Sequence, residues 1–130
     1  MSQDPIADFL AAFKNAIQRN KVYFDFPASK ILDKILMIMR NNGYVENHKK
    51  ITDNKQGFFR IFPAYSNGIP VLKGTKRVSK LGRRIYVPVD RIPRVLDDYG
   101  VAVISTSKGV VEGKDAKNMN AGGEVICYFW

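Results

Sequence analysis

Ser105-Thr106-Ser107-Lys108 satisfies the Ser-x-x-Lys spacing in which a lysine activates a serine nucleophile. That chemistry needs the two side chains one turn apart on a helix. The apolar run Val101-Ala102-Val103-Ile104 directly before them reads instead as a buried strand, and Gly109 follows at once. The distant triplet Lys73-Gly74-Thr75 has its residues in the wrong order for the companion motif. A small basic enzyme using Ser105 and Lys108 is therefore the weaker reading, testable with a serine-reactive probe. The same residues suit a second chemistry. Serine and threonine hydroxyls both donate and accept hydrogen bonds, and at the end of a rigid strand they fit shape recognition better than bulk charge attraction. Gly122-Gly123-Glu124 introduces another apolar run, Val125-Ile126-Cys127-Tyr128-Phe129-Trp130, and its glycines let a backbone come close to a ligand. Ionised Glu124 only accepts hydrogen bonds, so beside a polyanion it must meet donors such as base amino groups or backbone amides. Its structural alternative is a carboxylate that ties down the Ser-Thr-Ser loop.

Charge narrows the partner. Twenty-one Lys and Arg against twelve Asp and Glu give a net charge of +9 and a pI near 9.8, which points to a polyanion, most often nucleic acid. An indifferent basic surface is the plain alternative. The first 66 residues carry ten basic and six acidic side chains and the remainder eleven and six, so the excess lies on folded elements and not on a tail. Residues 73–84 contain six cations, Lys73, Lys76, Arg77, Lys80, Arg83 and Arg84, and no acid. After them Ile85, Val87 and Val89 alternate with Tyr86 and Pro88. Tyr86 then stands on the polar side among arginines, suited to stacking on a base or ribose, or equally to packing against arginine stems. No helix is basic along its length, which disfavours a DNA-binding architectural protein.

Other classes are bounded by what the sequence lacks. His48 and the lone Cys127 cannot make a metal site eighty residues apart, and no phosphate loop, dinucleotide fingerprint or zinc spacing occurs, so neither metal, cofactor nor small-molecule substrate is expected. Cys127 reads as a buried thiol in a reducing compartment. No apolar run approaches the ~20 residues of a membrane span, and the N-terminus lacks a basic-then-apolar leader. The expected setting is cytosolic, or organelle-encoded.

These side chains need a frame, and the pattern predicts an α+β chain of two small lobes. Asp4-Pro5 opens a first helix with Ile6, Phe9, Leu10, Phe13 and Ile17 on one face and Lys14, Arg19 and Lys21 near its end. A strand over 22–26 ends at Pro27, and Ser29 caps a second helix carrying Ile31, Leu32, Ile35, Leu36, Ile38 and Met39. Asn42-Gly43 closes it, and strands over 44–51 and 58–63 flank a turn-rich loop that holds Lys55. The N-terminal lobe, residues 1–66, thus runs α-β-α-β-β, with helices packed on a small sheet. Tyr65-Ser66-Asn67-Gly68 reads as a linker. The C-terminal lobe, residues 67–130, is mainly β with short helices: two strands about a turn at residues 79–82, a helical connector over 90–99, a small helix over 113–120 and the two apolar strands.

Val101-Ala102-Val103-Ile104-Ser105-Thr106-Ser107-Lys108-Gly109-Val110, followed by Gly122-Gly123-Glu124-Val125-Ile126-Cys127-Tyr128, resembles the C-terminal signature of the small-subunit ribosomal protein eight family, in its bacterial or organellar form. The likeness continues through Asp4-Pro5-Ile6-Ala7-Asp8, Pro27-Ala28-Ser29-Lys30 and Arg77-Val78-Ser79-Lys80 with Gly82 and Tyr86, and covers essentially the whole chain. Leu81 departs from it, standing where the family commonly has proline. The resemblance implies a primary binder of the central domain of small-subunit ribosomal RNA, early in subunit assembly and beside neighbouring small-subunit proteins. Bacterial members also repress their own operon by binding its messenger RNA. By the same resemblance Ser105, Thr106, Ser107, Gly122, Gly123 and Glu124 form the specific surface, Tyr86 stands beside it, and Ser29 with Lys30 contact RNA from the N-terminal lobe. Lys55, Lys76, Arg77, Lys80, Arg83, Arg84 and Lys108 complete the expected RNA-binding set.

Overall fold

A computed structural model describes residues 4–96 and 99–130; the expected connector over 90–99 therefore lies partly outside the described residues. The chain divides into two compact units, Asp4–Leu72 and Lys73–Trp130. The mixed α+β architecture agrees with the pattern of the sequence.

In the first unit, helix α1 (Pro5–Gln18) begins where the Asp4 carboxylate accepts the Ala7 N–H at 3.1 Å. Helix α2 (Lys30–Asn41) begins where the Ser29 hydroxyl accepts the Leu32 N–H at 3.2 Å. Both end with a residue in the left-handed region that folds the backbone back. Asn20 (φ 52°) brings the Lys21 N–H to the Ala16 carbonyl at 3.0 Å, and Gly43 (φ 83°) brings the Tyr44 N–H to the Met39 carbonyl at 2.9 Å. That closure leaves no base in the last turn of α1: Arg19 caps the helix and Lys21 lies beyond it, so the expected cationic end is absent. Ala16 is buried where the stripe was expected to end on Ile17.

Strands β1 (Phe24–Pro27), β2 (Val45–Ile51) and β3 (Phe58–Pro63) form an antiparallel sheet in the order β1-β3-β2. Pro27 is tolerated because β1 is an edge. Phe9, Phe13, Phe24 and Phe26 meet at ring separations of 5.4 to 6.2 Å, mostly edge to face, beneath buried Phe59 and Ile61. Strand β3 alternates strictly between buried and half-buried, which leaves Phe58, Arg60 and Phe62 on the outer face. The expected linker is instead a hairpin. Asn67 (φ 52°) and Gly68 (φ 78°) supply the two positive-φ positions of a tight turn between β4 (Tyr65–Ser66) and β5 (Ile69–Pro70). The Val71 N–H then bonds back to Ala64 at 3.0 Å, which draws residues 67–72 into the first unit, whereas the sequence boundary stood after Ser66.

The second unit is built on β10 (Gly123–Phe129), which pairs antiparallel with β6 (Thr75–Arg77) and β7 (Tyr86–Val87) on one side and β8 (Val101–Thr106) on the other. Strand β9 (Gly109–Glu112) extends the sheet beyond β8, and helix α3 (Gly113–Asn118) follows it. β9 was not anticipated: with one face half-buried and Gly109 and Glu112 at its ends, it carries no apolar run for the eye to find. Asn120 (φ 53°) ends α3 as Asn20 ends α1, with Ala121 N–H on Ala116 carbonyl at 2.9 Å. Ile92, Val95, Ala102, Ile104, Ala116 and Val125 form one buried core cluster. The reversal after β6 turns on Leu81-Gly82 and not on 79–82 as a whole, because Lys80 and Arg83 exchange backbone hydrogen bonds at 2.8 and 3.0 Å. Ser79 is fully buried behind it, accepting the Ile85 N–H at 2.9 Å.

Cys127 is fully buried, and desolvation pushes its thiol from an ordinary 9.0 up to about 12, opposed by the nearby Arg77 charge. The unfolded chain releases this proton near pH 9 and the folded chain holds it to about pH 12, so stability falls as pH rises through that window. Wild type should lose roughly 1 kcal/mol per pH unit relative to Cys127→Ala between pH 9.5 and 11, measured by urea unfolding. A difference independent of pH would mean the thiol is not desolvated.

Candidate RNA-binding surface

Register assembles the site. Glu124 on β10 lies opposite Tyr86 on β7 and opposite Ser105 on β8, and directly opposed residues of an antiparallel ladder share a face. Tyr86, Glu124 and Ser105 therefore form one row across three strands, on the face away from the core that Val87, Val125 and Ile104 enter. A register shift between Val125 and Cys127 separates this polar row from the fully buried pair Cys127 and Val103 further along. Tyr86 is 68% exposed, in keeping with its predicted place on the polar side of the alternation.

Gly122 and Gly123 are required by the strands themselves. A Cβ on Gly123 would overlap the Ser105 carbonyl oxygen, and one on Gly122 would overlap the Val87 carbonyl oxygen. The close approach these glycines allow is to β7 and β8, and it brings Ser105 and Tyr86 up to Glu124.

The carboxylate is not free. Arg84 Nη1 donates to Glu124 Oε2 at 3.1 Å, with 15% of the Glu124 side chain exposed against 46% for Arg84. Glu124 thus has a cationic partner on β7's side, and the alternative in which it ties down the Ser-Thr-Ser loop is not what the hydrogen bonds show. Arg84, expected to meet phosphate, holds this pair through Nη1 while much of its side chain stays exposed. Such a partner neutralises the carboxylate and leaves its second oxygen as an acceptor for a donor group.

The three hydroxyls divide. Thr106 Oγ1 donates to the Gly109 carbonyl at 2.8 Å and accepts the Lys108 N–H at 3.1 Å, so it builds the β8–β9 turn. Gly109 (φ 124°) completes that turn in a conformation side chains rarely adopt. Ser105 is half-buried in the row and Ser107 is exposed at the turn, and neither hydroxyl has a hydrogen bond among the described residues. Lys108 Nζ reaches the Met119 carbonyl at 3.4 Å. Ser105 lies within β8 and Lys108 sits in a turn, so the helix that serine–lysine catalysis needs is missing here.

The cations also sort by commitment. Lys76, Lys80 and Arg83 are exposed, the last two flanking the Leu81-Gly82 tip, while half-buried Arg77 donates to the Ile126 carbonyl at 2.6 Å and so belongs to the sheet. In the first unit, Ser29's hydroxyl is occupied by its cap, and Lys30 lines a depression of about 370 Å³ together with Lys50 and Gln56. Lys55 lines a neighbouring depression that shares Gln56. Lys50 was missed in the sequence because its strand gives no sign of facing the α2 cap. No cluster of three or more metal-ligating side chains occurs among the described residues, and none of their helices is long and apolar enough to cross a membrane.

The close approach at β10 makes a testable demand. Gly123→Ala should destabilise the fold by about 1–3 kcal/mol or more through overpacking against the Ser105 carbonyl. Gly82→Ala, with open space around it, should stay within about 0.5 kcal/mol of wild type in the same urea titration. Equal effects at the two sites would show that β10 does not pack as described.

Known proteins can be set beside this geometry. The family model described as Ribosomal protein S8 matches residues 4–130. The small ribosomal subunit protein uS8 of Kosmotoga olearia is 48% identical over all of both chains. The proteins of that name from Moorella thermoacetica and Streptococcus gordonii are each 46% identical, covering 98% of this chain and 98% and 97% of theirs. With a full-length match to the family model and near-half identity to these relatives, the chain belongs to the ribosomal protein S8 family.

Proposed function

We propose that this chain is a structural constituent of the small ribosomal subunit that binds the central domain of 16S-type ribosomal RNA, among neighbouring small-subunit proteins and early in assembly. The observation that carries the reading is the row of Tyr86, neutralised Glu124 and uncommitted Ser105, with exposed Ser107 at its end. A regular RNA duplex hides its base edges in a deep, narrow groove, so recognition relies on 2′-hydroxyls, phosphates and irregular or unstacked bases. Free serine hydroxyls match a 2′-hydroxyl or base edge, Glu124 offers an acceptor to an amino or hydroxyl donor, and Tyr86 offers a ring. Lys76, Lys80 and Arg83 supply attraction that is indifferent to sequence. The relatives named above are bacterial, which supports a cytoplasmic ribosome. The same surface would serve autorepression if the operon messenger folds into a copy of the ribosomal site.

Two substitutions separate specificity from attraction. Ser107→Ala should cost about 1–3 kcal/mol at the ribosomal site, because an RNA polar group loses its partner, and leave binding to unrelated RNA, salt dependence and Tm unchanged. Lys76→Ala should weaken both RNAs alike and reduce the salt slope by about one unit per lost phosphate contact. A Ser107→Ala protein with wild-type cognate affinity and a lowered Tm would remove that serine from the surface.

A further inference from the structure

The outer face of the β1-β3-β2 sheet carries an ordered cluster that the RNA surface of the second unit does not use. Asp25, Arg60 and Lys49 lie opposite one another on β1, β3 and β2, and Phe62 follows Arg60 on the same face. The Asp25 carboxylate holds the Arg60 guanidinium in two places, Nε at 3.0 Å and Nη2 at 3.2 Å, which fixes its plane. The Arg60 Cζ sits 4.5 Å from the centre of the Tyr23 ring, so the cation rests over an aromatic. A third of the Arg60 side chain, 34%, remains exposed. Beside it Lys49 Nζ lies 5.7 Å from the centre of the Phe62 ring, itself 5.8 Å from that of Tyr23, and Lys49 has no carboxylate partner among the described residues.

We propose that Arg60, held over Tyr23 by Asp25, is a stacking platform for an unpaired RNA base, with Lys49 placed for the adjoining phosphate. This rests on the reading of the chain as an RNA binder and adds a second, sequence-tolerant contact on the first unit. A guanidinium plane stacks on bases as aromatic rings do, and loses less freedom on binding when its orientation is fixed beforehand. Charge favours this occupant over an acidic peptide: a flat, delocalised cation beside one uncompensated lysine matches a base with a single phosphate, whereas a peptide carboxylate would compete with Asp25 for the same fork.

The full-length chain is titrated with a single-stranded RNA octamer carrying a central 2-aminopurine, with a fully paired duplex of the same sequence, and with small-subunit ribosomal RNA. Stacking should quench the 2-aminopurine on binding the octamer and leave the duplex signal unmoved. Arg60→Lys keeps the charge and loses the planar fork, so octamer affinity should fall about tenfold with an unchanged salt slope. Should Arg60→Lys fold poorly, Tyr23→Leu should reproduce the loss and Tyr23→Phe, which keeps the ring, should not. No quench with wild type, or equal octamer affinity for wild type and Tyr23→Leu, overturns the platform. If ribosomal RNA still binds in that case, the platform alone fails; if it does not, the RNA-binding reading fails with it.

Discussion

The backbone of β10 at Gly122-Gly123 is the constraint on which the second unit depends. Without side chains there, the Val87 and Ser105 carbonyls close in from two sides, and the register that results places Glu124 between Tyr86 and Ser105. A single methyl would force one neighbour away and scatter the row. The glycines therefore fix where three other side chains stand. The bulge one residue past Val125 sets the other limit, since beyond it the same face becomes apolar and buries Cys127 and Val103.

Electrostatics then assigns different tasks to residues of the same type. The cationic segment 73–84 looks uniform as a string, yet Arg84 balances Glu124 and Arg77 holds the Ile126 carbonyl, while Lys76, Lys80 and Arg83 face solvent. The Arg84–Glu124 pair balances a carboxylate on a chain whose net charge is +9. Ser, Thr and Ser divide likewise: one hydroxyl builds the turn and two are left for a partner.

Local signals were the legible ones. Asp4-Pro5, Ser29 and Asn42-Gly43 mark helix ends because capping is decided within four residues, and the alternation Ile85-Tyr86-Val87 placed the tyrosine outward for the same reason. Pairing across strands was not legible. Arg84 and Glu124 are forty residues apart, and only the ladder joins them. Asn67-Gly68 was visible as a turn, but a linker and a hairpin share that composition, and the two-residue strands beside it are too short to show a period. The sequence signalled a close approach at Gly122-Gly123, but not that the Val87 and Ser105 carbonyls of neighbouring strands come within it.

The central claim is that a compact row on one sheet, and not diffuse charge, selects the RNA. Hydroxyl-radical footprinting of naked small-subunit ribosomal RNA, at a salt concentration where non-specific binding is suppressed, tests this directly. The proposed function predicts one confined protected patch within an irregular helix of the central domain. Weak protection spread over many regular helices, or a patch that disappears in step with rising salt as the non-specific complex does, would contradict it.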